Sequence, residues 1–221
     1  MKKCLPVVLL LAFLCLGCQE QAPPPPPTPP PAPEKTAEKI KEEFMVALAP
    51  MQGLVADPPV GGFSDDMKKK VIEDLKKART ANQTSVNAPQ ALEMVTREIE
   101  TIISTARDRK RWRLVMGAIE AYEVMSPGTT KMNRLKDRAK LYLSRPTVTV
   151  KGFVDDKETK DTFVFLEVTL HPSEEVNSIQ VRIGEEFFGV RLLDIVGNKK
   201  GVQLEYLAIP GDTWDVMTGR S

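Results

Sequence analysis

Ser144-Arg145-Pro146-Thr147-Val148-Thr149-Val150 is the stretch at which the chain changes its hydrophobic period. Upstream, apolar residues recur every three or four positions, the spacing of one face of a helix. Downstream they alternate, the spacing of a half-buried strand. Pro146 marks the boundary, because proline cannot continue a helix and restricts the residue before it. The fold class follows: α+β, an N-terminal α-helical bundle followed by a small antiparallel β-sandwich or partly open barrel.

Working back from that boundary, residues 34–145 read as about five helices. Ile40, Phe44, Ala47 and Leu48 lie on one face of a first helix, which should end before Pro50. Gly53, Pro58, Pro59, Gly61 and Gly62 predict a loop up to Ser64. Ser64 reads as an N-cap, with Asp65 and Asp66 in the first turn, where the helix dipole favours acids. Asn87-Ala88-Pro89 opens a third helix that buries Leu92, Val95, Ile99, Ile102 and Ile103. A basic cluster follows, with Arg107, Arg109, Lys110, Arg111 and Arg113 around Trp112. It reads as a helix end with a solvated face and an inward Trp112, or as a seat for anionic headgroups or acidic side chains. Two further helices end at Ser126-Pro127-Gly128 and before Arg145-Pro146. Residues 112–143 resemble a tetratricopeptide hairpin, but no second copy occurs, and a solenoid needs several.

Forward from the boundary, residues 146–218 carry short β-rich runs. They are Thr147–Val150, Phe163–Leu170, Val176–Ile183, Val190–Val196, Val202–Leu207 and Thr213–Met217. Turn signals separate them at Asp155–Asp161, Pro172-Ser173, Gly184-Glu185, Gly197–Gly201 and Pro210-Gly211. In the segment Val176–Phe188, Asn177, Gln180 and Arg182 are placed on one face. Val176, Ile179, Val181 and Ile183 then cannot all face one way, which predicts a bulge or a second buried surface. An edge strand there would offer free N–H and C=O groups to another chain. The residues expected at such a contact are Gln180, Arg182, Glu185 and Phe187.

At the far N-terminus, Met1-Lys2-Lys3 precedes an apolar run from Leu5 to Leu16. This is a secretory signal too short to span a bilayer. It closes on Leu16-Gly17-Cys18, which resembles a bacterial lipobox. The resemblance implies cleavage between Gly17 and Cys18 and acylation of Cys18. Residues 1–17 are then signal peptide and 18–33 a lipidated, proline-rich linker. Pro23 to Pro33 cannot form helix or sheet and should adopt polyproline II, roughly 35 Å long at about 3.1 Å per residue. Gln19 is not Asp, which by analogy with enteric bacteria points outward, but that rule does not hold in all bacteria and leaves the inner and the outer membrane both open. The expected location is a membrane-anchored lipoprotein facing the periplasm.

All three cysteines, Cys4, Cys15 and Cys18, lie in this leader, so folding rests on packing without disulfides. Without residues 1–17 the bases number 29 against 30 acids, which argues against nucleic acid as a partner. The one histidine, His171, stands beside Pro172 and reads as a turn residue. Asp155–Asp161 lacks the glycine and terminal glutamate of an EF-hand loop. Asp212, Trp214 and Asp215 hint at a sugar site, yet no convergent acid, base and nucleophile is present. The expectation is a non-enzyme without cofactor.

Val150-Lys151-Gly152-Phe153-Val154, Val181-Arg182-Ile183-Gly184-Glu185-Glu186-Phe187, Gly189-Val190, Leu193, Ile195, Val202 and Leu204 resemble a known β-domain. It is shared by the type IV pilus lipoprotein PilP and the homology-region domain of type II secretion. In that family a strand ends at a Gly-acid turn, the chain crosses to a glycine, and two strands form a hairpin. The resemblance implies a non-catalytic scaffold component of an envelope machine, with protein partners and a bilayer at Cys18. Residues 34–145 have no counterpart there. The alternative is a periplasmic ligand- or glycan-binding lipoprotein with a groove between helices and strands.

Overall fold

The computed structural model describes residues 34–56 and 62–219. The signal, lipobox and proline-linker readings lie outside the described residues. Within them the chain is mixed α+β, with helices first and strands after. The helices are α1 Ala37–Ala56, α2 Asp65–Asn82, α3 Ala88–Asp108, α4 Trp112–Met125 and α5 Asn133–Leu143.

α1 corrects the expectation that the first helix ends before Pro50: it continues to Ala56 with Pro50 inside it. An interior proline costs about 3 kcal/mol. Continuing the helix buries Met51 and Leu54, each contributing about 2 kcal/mol, so burial outweighs the break. Pro50 itself is exposed, where a lost backbone bond can be met by water. Ser64 caps α2 as expected, its hydroxyl accepting from the Met67 N–H at 3.2 Å. Asn87 does not cap α3 through its side chain. Its amide instead donates to the Lys35 carbonyl at 2.9 Å, tying α3 to the entry of α1.

The helices share one apolar interior, centred on Ile40, Phe44, Leu75, Ile99 and Ile119. α1 lies against α2 and α3, and α4 lies against α2, α3 and α5. α1 has no basic residue in its last turn. The turn between α3 and α4 supplies two from elsewhere: Arg109 donates to the Val55 carbonyl and Arg111 to the Leu54 carbonyl. Two members of the basic cluster are thus spent on the negative end of the α1 dipole. Trp112 is half-buried and stacks on Tyr142 of α5, ring centroids 4.0 Å apart and planes 7° apart.

The strands are β1 Thr147–Asp155, β2 Thr162–Leu170, β3 Glu175–Val181, β4 Glu186–Phe187, β5 Val190–Val196, β6 Gly201–Tyr206 and β7 Thr213–Met217. They form two antiparallel sheets, ordered β1-β2-β3 and β4-β5-β6-β7, and no closed barrel. Both contribute to one core: Val148, Val164, Leu166 and Val168 from the first, Val190, Leu192, Val202 and Leu204 from the second. Register shifts fall between Val150 and Gly152 in β1 and between Leu192 and Asp194 in β5.

Helices meet strands at Arg145. Its guanidinium pairs with Asp212 at 3.1 Å and lies 4.4 Å from the Trp214 ring centroid. Beside it Ser144 Oγ and Tyr206 Oη are 3.3 Å apart.

Two stability changes follow. A Cβ at Gly117 would stand 2.2 Å from Cε1 of the buried Phe63 ring. Gly117→Ala gains about 1 kcal/mol of helix propensity but overpacks by about 2 kcal/mol, so the denaturation midpoint should fall. Arg145→Ala leaves the nearly buried Asp212 carboxylate unpaired and should cost about 2 kcal/mol in the same titration.

Candidate docking edge

β3 is the last strand of its sheet and pairs with β2 alone. Its register is unbroken from Val164 opposite Val181 to Leu170 opposite Glu175. The bulge expected in this segment is therefore absent, and the irregularities sit in β1 and β5. Strict alternation places Ile179 and Val181 toward the core with Asn177 beside them, and leaves Val176, Ser178 and Gln180 exposed. Asn177 thus shares a face with the apolar pair rather than with Gln180. Among the described residues, no backbone–backbone hydrogen bond outside the sheet ladder engages residues 175–181. The outer rim of β3 is open.

The other edges differ. β1 carries a bulge and a lysine, Lys151, and lies beside β7. β4 is two residues long. β7 places Asp215 at its centre. Bulges, lysines, short strands and charges all blunt an edge against chance pairing. β3 has no proline, lysine or bulge, and the helices leave its outward face uncovered.

The end of β3 is held rigidly. Glu185 accepts from the Arg182 backbone N–H at 2.9 Å and from its guanidinium at 3.1 and 3.0 Å. Asp161 adds a contact at 3.4 Å, and the guanidinium lies 5.5 Å from the Phe163 centroid. Gly184 has φ +87°, a conformation that glycine adopts freely. Its N–H donates to Leu192 O at 2.7 Å, and the Leu192 N–H returns to Glu185 O at 3.1 Å. These bonds hand the chain from the first sheet to the second. The Arg182 N–H and side chain hold the Glu185 carboxyl below the ordinary glutamate range. A cavity of about 440 Å³ opens here, lined by Lys160, Asp161, Arg182, Ile183, Glu185 and Ile195.

The structure thus places Gln180, Arg182 and Glu185 at one exposed or half-exposed end of the sheet. It does not place Phe187 with them: that ring is buried in the core the two sheets share. Its neighbour Phe188, at φ +45°, is exposed instead, 44% accessible. Strand alternation from Glu186 separates the two rings, but a two-residue strand leaves no period in the sequence to show it. Val176 and Ile183 are 57% and 54% accessible, so apolar surface flanks the open rim at both ends.

The other candidates have structural partners. His171 bonds Glu174 through Nδ1 at 2.9 Å and Thr147 through Nε2 at 2.8 Å, joining the β2–β3 turn to β1. Asp155 pairs with Lys199, and Asp156 accepts the Glu158 N–H at 2.8 Å, which lowers its pKa. Of the supposed sugar site, Asp212 is taken by Arg145, and Asp215 is exposed where Trp214 is half-buried. Among the described residues no group of three or more His, Cys, Asp or Glu is gathered to hold a metal. No described helix is long and apolar enough to cross a membrane. A groove does lie between helices and strands, about 300 Å³, lined by Arg113, Tyr142, Arg145, His171 and Trp214.

Because the Glu185 carboxyl is depressed in the folded state, its contacts stabilise the turn above the ordinary glutamate range. That contribution should be lost as pH falls through the lowered folded value. Side-chain NMR titration should show Glu185 protonating later than a free glutamate, and Arg182→Gln should move it back toward the ordinary value.

No family model matches the chain, and neither a curated protein nor a solved structure matches it.

Proposed function

We propose that this protein is a non-catalytic, membrane-anchored lipoprotein, a scaffold component of a type IV pilus or type II secretion-like envelope machine. In this reading a helical bundle on a proline-rich tether carries a small β-sandwich that docks partner proteins. The observation that carries it is the open rim of β3, long, regular and flanked by exposed Val176 and Ile183. An added strand there would satisfy backbone groups that now face solvent. The path of the chain supports the family resemblance: after β3 ends at Val181 a turn at Gly184-Glu185 follows, the chain crosses to Gly189, and β5 and β6 form a hairpin. The structural employment of His171, Asp155 and Asp156 supports a non-catalytic role.

The second reading, a glycan- or ligand-binding lipoprotein, is favoured by the groove between helices and strands with its Trp214 and Tyr142.

Two measurements test these readings. Cys18→Ser should abolish palmitate labelling and release the protein from membranes; continued labelling would exclude the lipobox. Pull-downs from detergent extracts should recover secretin or pilus-assembly subunits. Gln180→Pro should lose them while remaining folded by circular dichroism, since an edge tolerates proline better than a centre. Glycan retention without such subunits would favour the second reading.

A further inference from the structure

The charges of this chain are partitioned. Residues 107–145 hold eleven Lys and Arg against four Asp and Glu, a net of +7. Residues 146–221 hold eight against thirteen, a net of −5. The excess on α4, α5 and the turn before α4 is not consumed internally. All four acids there are paired: Asp108 with Arg107, Glu120 with Lys68, Glu123 with Lys136, Asp137 with Lys140. Among the described residues, Lys110, Arg113, Arg134 and Arg138 are exposed and form no ion pair. Three of them border the Trp112–Tyr142 stack. Arg138 lies 5.8 Å from the Tyr142 centroid, Arg113 lines a cavity with Tyr142, and Lys110 lines one with Trp112. Arg134 stands one turn before Arg138 on α5. Leu141, beside Tyr142, is exposed.

We infer that this face binds an anionic lipid surface. Unpaired cations around an aromatic pair and an exposed leucine match the headgroup region, where anionic phosphates meet an apolar boundary. The inference rests on the anchored-lipoprotein reading, which puts a bilayer within reach of the tether. The acidic strands are repelled by the same surface, so the body is oriented with α4 and α5 against the membrane. Each cation at such a surface strengthens binding about fivefold.

Trp112 reports the contact. In the full chain with Trp214→Phe it is the sole tryptophan, and its quenching by acrylamide measures its access to water. Vesicles of phosphatidylcholine with phosphatidylglycerol should protect it. Pure phosphatidylcholine should not, and 1 M salt, with a screening length of about 3 Å, should abolish the effect. The quadruple variant Lys110→Gln, Arg113→Gln, Arg134→Gln, Arg138→Gln should lose protection while keeping the parent's circular dichroism and melting temperature. Absence of protection on anionic vesicles, equal protection on neutral ones, or protection retained in the quadruple variant would overturn the inference. Protection by poly-L-glutamate without protection by vesicles would overturn it in favour of an acidic polypeptide. An acyl chain inserts into neutral and anionic vesicles alike, so protection that needs phosphatidylglycerol and the four cations is independent of it. A chain that fails palmitate labelling but is still protected loses the anchor reading alone, and a labelled chain without protection loses only this inference.

Discussion

Arg145 is the point through which the two halves of the described chain are coupled. It is the last residue before Pro146, where helical geometry ends, and its guanidinium is held by a carboxylate and an aromatic face from the far end of the sequence. Asp212 is nearly buried, so a cation must meet it there. Because both partners precede or lie in β7, the contact fixes β1 against β7 at the moment the chain leaves α5. The groove between helices and strands is a consequence. Arg113, His171 and Trp214 line it around this ion pair.

The β-half then faces a problem of edges. Two sheets on one core leave four outer strands, and unpaired backbone groups invite association. Three are blunted by different means: a bulge and lysine in β1, brevity in β4, a central acid in β7. β3 alone is regular and uncharged between Val176 and Val181. Its end is pinned by Arg182, one cation held between the two acids Glu185 and Asp161. A rigid, neutral, open rim is suited to backbone recognition, in which side-chain charge contributes little.

Charge does a separate task at the other end of the body. Within the basic cluster, Arg109 and Arg111 are spent on the carbonyl end of α1 and Arg107 on Asp108. What reads in sequence as one patch is, in space, a structural clasp beside a solvated face. Only the residues left over are available to anything outside the molecule.

The sequence by itself determined the switch from helix to strand at Pro146, the Ser64 cap and five of the seven strands to within a few residues at most of their ends. These depend on periodicity and on local bonds between near neighbours. It also located the Arg182–Glu185 turn, because a glycine followed by an acid at a strand end has few other uses. Tertiary structure decided the rest. Whether Pro50 ends a helix depends on what Met51 and Leu54 gain from packing, which no local rule contains. Whether Phe187 or Phe188 faces water depends on β4, a strand of two residues that exists only through its pairing with β5. And whether β3 is an edge or a centre depends on which strands lie beside it. That neighbour relation is set by long-range packing on a shared core, and alternation along one strand is the same in either place.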